Sequence, residues 1–127
     1  MKIYGIGTDI ININRIKKSI KNKNFVKRLF SKNEIIKCKN KINESNCYAK
    51  RFAAKEAFSK AIGIGISKGL SFNEITVNNI KSGKPEILLT GKTKKIVHKI
   101  IKKKKISIYL SLSDDKPFAI ATVIVSI

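Results

Sequence analysis

The stretch Arg51-Phe52-Ala53-Ala54-Lys55-Glu56-Ala57-Phe58-Ser59-Lys60-Ala61-Ile62-Gly63 reads as a helix carrying a carboxylate and a cation one turn apart. Glu56 and Lys60 are related by i,i+4, so both leave the same face, with Phe52 one turn before them. The alanines between them keep the helix narrow, so another backbone can approach it closely. Gly63 fits the left-handed position that ends a helix, which places this helix between about Ser45 and Ile62. A second acidic setting lies near the N-terminus, where the Gly-rich segment Gly5-Ile6-Gly7-Thr8-Asp9 ends in a carboxylate. Only eight of the 127 residues are acidic, so two in such defined settings call for a joint explanation. Mg²⁺ is held by one or two carboxylates plus substrate phosphates, and a lysine beside them suits a phosphate oxygen.

Ile3 to Ile13 alternates as a strand, with Tyr4, Ile6, Thr8 and Ile10 on one side and Gly5, Gly7, Asp9 and Ile11 on the other. The two glycines leave room beside Asp9 for a backbone or a ligand. An asparagine cap at Asn12 or Asn14 opens a helix with Ile13, Ile16 and Ile20 inward. Arg15, Lys17, Lys18, Lys21 and Lys23 form its basic surface. Phe25 to Phe30 is a short apolar and basic segment. Ser31-Lys32-Asn33-Glu34 is a capping box for a helix reaching about Lys39. Beyond the central helix, Ile75–Asn79 and Glu86–Leu89 are strands around the turn Ser82-Gly83-Lys84-Pro85. Thr90 is expected to cap a helix from Gly91 to about Lys102, with Ile96, Ile100 and Ile101 inward. Ile106–Leu112 and Phe118–Ile127 close the chain as an antiparallel hairpin. The expected fold class is α+β, a small single domain over residues 1–127 with no internal repeat or linker.

Composition sets wider bounds. At 43% hydrophobic residues the chain is globular, and no apolar run approaches the ~20 residues of a membrane span. Met1-Lys2-Ile3-Tyr4-Gly5 lacks a signal-peptide core, so a cytoplasmic location is expected. Cys38 and Cys47 have neither metal-ligand spacing nor supporting histidines, and free thiols are expected. His98, the single histidine, sits among lysines as a bystander. The formal charge of +20 comes almost wholly from lysine. An AT-rich coding sequence produces such a mixture, and a surface that steers acidic partners does too.

The motifs GIGTDI and RFAAKEAFSKAIGIGI resemble the bacterial holo-acyl-carrier-protein synthases, small 4'-phosphopantetheinyl transferases. The family pattern is Gly-x-Asp near the N-terminus, then Phe-x-x-Lys-Glu-Ala-x-x-Lys forty to fifty residues later. Gly7-Thr8-Asp9 and Phe52 to Lys60 supply both. Gly69-Leu70-Ser71-Phe72, Gly83-Lys84-Pro85, Ser111-Leu112-Ser113 and Ala119-Ile120-Ala121-Thr122-Val123 follow in the family's order. The resemblance spans essentially the whole chain.

It implies the 4'-phosphopantetheinyl transferase fold, an antiparallel sheet on a long central helix, assembled as a homotrimer with sites between subunits. It implies a Mg²⁺-dependent enzyme that moves 4'-phosphopantetheine from coenzyme A to a serine of apo acyl carrier protein, for fatty-acid synthesis. Adenosine 3',5'-bisphosphate leaves. By the same resemblance Asp9 and Glu56 hold Mg²⁺, Lys60 contacts the pyrophosphate, and Arg51 lies near the coenzyme's terminal phosphate. Gly63 and Gly65 allow the nucleotide's close approach, and Arg15, Lys18 and Lys21 dock the acidic carrier protein. Many family members carry a histidine after the closing Ser-Leu-Ser. Here Asp114 stands in that place, and the general base is left unassigned between a carboxylate-associated and a metal-bound water. The rival, a basic RNA- or ribosome-associated module, requires aromatics interleaved with the basic stretches. The six phenylalanines and three tyrosines form no such signature. Neither a nucleic-acid nor a membrane partner is expected.

Overall fold

In a computed structural model, which describes residues 1–65 and 68–127, one long helix lies against a three-stranded sheet. The sheet contains β1 (Ile3–Asn12), β4 (Ser107–Asp115) and β5 (Phe118–Ser126) in the antiparallel order β1-β5-β4. The strands β2 (Ile75–Asn79) and β3 (Pro85–Leu89) pair separately as a hairpin. The helices are α1 (Ile13–Ser19), α2 (Lys23–Leu29), α3 (Lys32–Cys38), α4 (Glu44–Ile62) and α5 (Gly91–Ile101), with a 3-10 turn at Phe72–Glu74.

The central helix α4 is buried on most of its circumference. Ala49, Ala53, Ala54, Ala57 and Phe58 have no exposed surface, and Arg51, Lys55 and Ser59 are buried with them. Small side chains let β1 come close. A Cβ on Gly5 would collide with the Ala61 carbonyl oxygen, and one on Gly7 with that of Ala57. The room the glycines leave is thus filled by the α4 backbone. Gly63, at φ 87°, takes the left-handed conformation that ends α4, and its N–H donates to the Ser59 carbonyl.

The inner face of the sheet carries Ala119, Ala121, Val123 and Val125, all without exposed surface. Its outer face is different. The register puts Ile6 and Tyr109 beside Ile124, Thr8 and Ser111 beside Thr122, and Ile10 and Ser113 beside Ile120. Ile6 is 63% exposed and Ile10 59%, an apolar surface presented to solvent.

Three expectations are corrected. The first helix does not run from Asn12 through Lys23. Asn12 caps α1 as expected, but the side chain of Asn22 accepts from the backbone N–H groups of Asn24 and Phe25 and starts a new helix, α2. Thr90 makes no side-chain cap for α5. Glu74 does this from a distance, accepting from the backbone N–H groups of Lys92 (3.2 Å) and Thr93 (3.1 Å) and from the Thr93 hydroxyl. The cysteines are not free. The C-terminal end of α3 meets the start of α4, bringing Cys38 and Cys47 to a Cα separation of 5.5 Å, and a disulfide joins them. Their nine-residue spacing carried no hint of this because the intervening turn doubles back.

Candidate active site

Asp9 occupies the inner face of β1, two residues beyond Gly7, and so points at α4. There it meets Lys60, whose Nζ donates to Asp9 Oδ1 (3.2 Å) and to the Thr8 carbonyl (3.0 Å). The Lys60 side chain is 54% exposed and that of Asp9 16%, so the ammonium reaches from solvent to a sheltered carboxylate. Such half-exposed pairs contribute only ~0–1 kcal/mol and exchange partners readily.

Glu56, one turn before Lys60, is half-buried. None of the three ion pairs among the described residues includes it. Lys60 therefore pairs across to β1 and not along its own helix. Burial pushes the Glu56 carboxyl above its ordinary value, the negative charge of Asp9 adds to this, and Lys60 partly opposes it. Two carboxylates that repel each other form an oxygen donor set that a hard dication relieves. Among the described residues no group of three His, Cys, Asp or Glu could hold a metal. The pair suits Mg²⁺, which keeps most of its positions for water and phosphate, and does not suit an all-protein cage.

A second charged group lies along α4. Arg51, 6% exposed, donates to the Cys47 carbonyl (3.2 Å) and to Asn79 Oδ1 (3.4 Å), while its buried Nε has no partner. Lys37 Nζ also donates to Asn79 Oδ1 (2.9 Å). These residues, with Lys41, Lys50 and Asp114, line a cavity of about 440 Å³. Burial lowers the pKa of both Arg51 and Lys37, and the positive charge of Arg51 adds to the effect on Lys37. Asp114 accepts from Asn46 Nδ2 (3.0 Å) and pairs with Lys50 (3.1 Å). These contacts hold its carboxyl below the usual range, the Asn46 hydrogen bond first.

The structure thus gathers Asp9, Glu56 and Lys60, and sets Arg51 apart beside a basic cavity. Among the described residues no atom lies within 4 Å of a Cβ added at Gly63 or Gly65, so none of them crowds either glycine. Arg15, Lys18 and Lys21 are all exposed. Arg15 and Lys18 share α1, but Lys21 lies past its end, so the three do not form one continuous helical face.

Sequence reasoning missed the centre of the fold. Lys55, without exposed surface, donates to Glu34 Oε1 (2.6 Å) and to the carbonyls of Phe72 (2.8 Å) and Ile75 (2.6 Å). Burial pulls its pKa down to about 8, with Glu34 opposing. The capping box, which is present, is a sufficient local explanation of Glu34 and hides its second partner. A lysine inside an otherwise alanine-lined helix was the available signal.

A family model described as the 4'-phosphopantetheinyl transferase superfamily matches residues 5–123. A holo-[acyl-carrier-protein] synthase of Pelagibacter ubique is 53% identical over 98% of this chain and 97% of its own length. This chain belongs to that superfamily, among its holo-[acyl-carrier-protein] synthases. Solved members share the architecture. The synthase from Neisseria meningitidis superposes with a TM-score of 0.85 at 35% identity, covering 98% of this chain and 99% of that one. The Helicobacter pylori synthase, solved in complex with coenzyme A, gives 0.79 at 40% identity over 95% and 99%. Among these synthases the expected α+β fold, a sheet on a long central helix, is the rule this chain follows.

Proposed function

We propose that this chain transfers 4'-phosphopantetheine from coenzyme A to a serine of apo acyl carrier protein, releasing adenosine 3',5'-bisphosphate, as a Mg²⁺-dependent homotrimer of the cytoplasm. Membership of the synthase family supports the reaction. The convergence of Asp9, Glu56 and Lys60 from two elements carries the assignment of its site.

In this reading Asp9 and Glu56 hold Mg²⁺, which when bound neutralises charge on the phosphate oxygens. Lys60 exchanges its contact with Asp9 for a pyrophosphate oxygen and stabilises charge as it develops there. The carrier serine oxygen forms a bond to the β-phosphorus as the bond to the departing nucleotide breaks. The serine proton passes to a carboxylate-associated water, while Asp114 is engaged by Asn46 and Lys50. Arg51 and its basic cavity offer the coenzyme's terminal phosphate a cationic wall.

Arg15, Lys18 and Lys21 are the proposed contact for the acidic carrier protein. The exposed apolar outer face of the sheet supports the trimer, because Ile6, Ile10, Tyr109 and Phe118 are then covered by neighbouring copies. Incubation with coenzyme A, Mg²⁺ and apo carrier protein, read by intact mass, tests the reaction. A phosphopantetheine mass gain is expected, and no gain across several carrier proteins would reject it.

A further inference from the structure

We propose that the buried Glu34–Lys55 knot is a positioning device that fixes the roll of α4 and thereby aims Glu56 at Asp9. The inference rests on the reading of Asp9 and Glu56 as the catalytic pair. Lys55 precedes Glu56 directly, and all three of its ammonium protons have an acceptor. Those acceptors come from three separate elements: α3, the 3-10 turn and the start of β2. Glu34 is equally engaged. One oxygen takes Lys55 and the Ser31 N–H (2.9 Å), and the other takes the Val77 N–H (3.0 Å).

Helical geometry turns this knot into an angular constraint. At ~100° per residue, Lys55 lies nearly opposite Ala57, whose carbonyl abuts Gly7. The helix is gripped on one side by the glycines of β1 and on the other by Glu34. Glu56 projects from the flank between these grips. A roll of about 10° at an arm of about 6 Å would carry its carboxylate about 1 Å, a misplacement that can cost on the order of 10²-fold in rate. Stability alone is a poor account of the knot, because apolar residues of similar volume commonly replace a buried ion pair without loss. Directional bonds hold an angle, which apolar contacts do not.

The test compares wild type, Lys55→Met and Glu34→Asp. Glu34→Asp keeps the charge and shortens the reach by one methylene, so it decides the matter should Lys55→Met fail to fold. Folded fraction comes from circular dichroism. Binding of Mn²⁺ alone to the coenzyme-free protein is read by electron paramagnetic resonance, and kcat and KM for coenzyme A are measured per folded chain. The expected result is kcat lower by about 10- to 100-fold, KM within about twofold, and Mn²⁺ binding about tenfold weaker. Folded variants with lowered melting temperature but wild-type kcat and Mn²⁺ binding would overturn the proposal and leave the knot as fold alone. A Glu56→Gln variant as active as wild type would instead overturn the catalytic pair itself, and this inference with it.

Discussion

Lys60 Nζ lies 3.2 Å from Asp9 Oδ1, joining a helix to a strand across 51 positions of sequence. Glu56, one turn away on the same helix, is left without an ion-pair partner beside them. This division distinguishes the trio from a surface i,i+4 pair, and loss of a carboxylate is expected to differ from loss of Lys60.

Asp9→Ala and Glu56→Gln are expected to lower transfer by about 10²–10³-fold, the range seen when one preorganised charge-stabilising group is removed. Glu56→Gln keeps the size of the side chain and loses only charge. Turnover by intact mass across a Mg²⁺ titration checks this, and near-normal rates at low Mg²⁺ would refute the role of Glu56.

Stability should move the other way. The folded pKa of Glu56 is raised, so its ionised form is disfavoured by folding, and that cost is present above the folded pKa and relieved as pH falls through it. Metal-free Glu56→Gln at neutral pH is therefore expected to melt at or above the wild-type temperature. The advantage should shrink in acid, where wild-type Glu56 takes up its proton. Thermal melts in chelator at two pH values give the answer.

Lys60→Ala should lower kcat more than it raises KM for coenzyme A, because a contact equal in ground and transition states would not accelerate the chemical step. A raised KM with unchanged kcat would reduce Lys60 to a ground-state contact.

Charge reversal at Arg15, Lys18 and Lys21 is expected to impair carrier-protein use while leaving coenzyme A affinity unchanged. Rising salt should slow the wild-type association as screening shortens to ~8 Å at physiological ionic strength. Reversal at Lys102, Lys103 and Lys104 is the control. Equal losses in both triple variants would make docking nonspecific.

Gly7→Ala should cost about 1–3 kcal/mol in urea unfolding, since the obstacle to its Cβ is the Ala57 backbone carbonyl and not a movable side chain.

How far the sequence could be read follows from the range of each interaction. The alternation of β1, the capping box at Ser31 and the stop at Gly63 are settled within a few residues, and all three stand in the structure. The small residues of β1 and of α4 were each visible, but not that Gly7 meets Ala57 and Gly5 meets Ala61, nor whether a backbone or a ligand filled the gap. What escaped was long-range. Asn22 looked like one more polar residue in a basic helix, and only its side-chain bonds mark a break. Glu74 caps a helix that begins seventeen positions later, at Gly91, and Glu34 serves both its own helix and Lys55. A carboxylate with a sufficient local explanation gives no sign of a second, distant partner.

The outer face of the sheet carries a consequence in mass action. Ile6, Ile10, Tyr109 and Phe118 face water in a single chain, and in the proposed trimer their burial would depend on how many copies are present. Specific activity should then fall on dilution, and it should recover on concentration. In the proposed trimer, a catalytically dead chain with an intact outer face would still enter mixed assemblies with active copies.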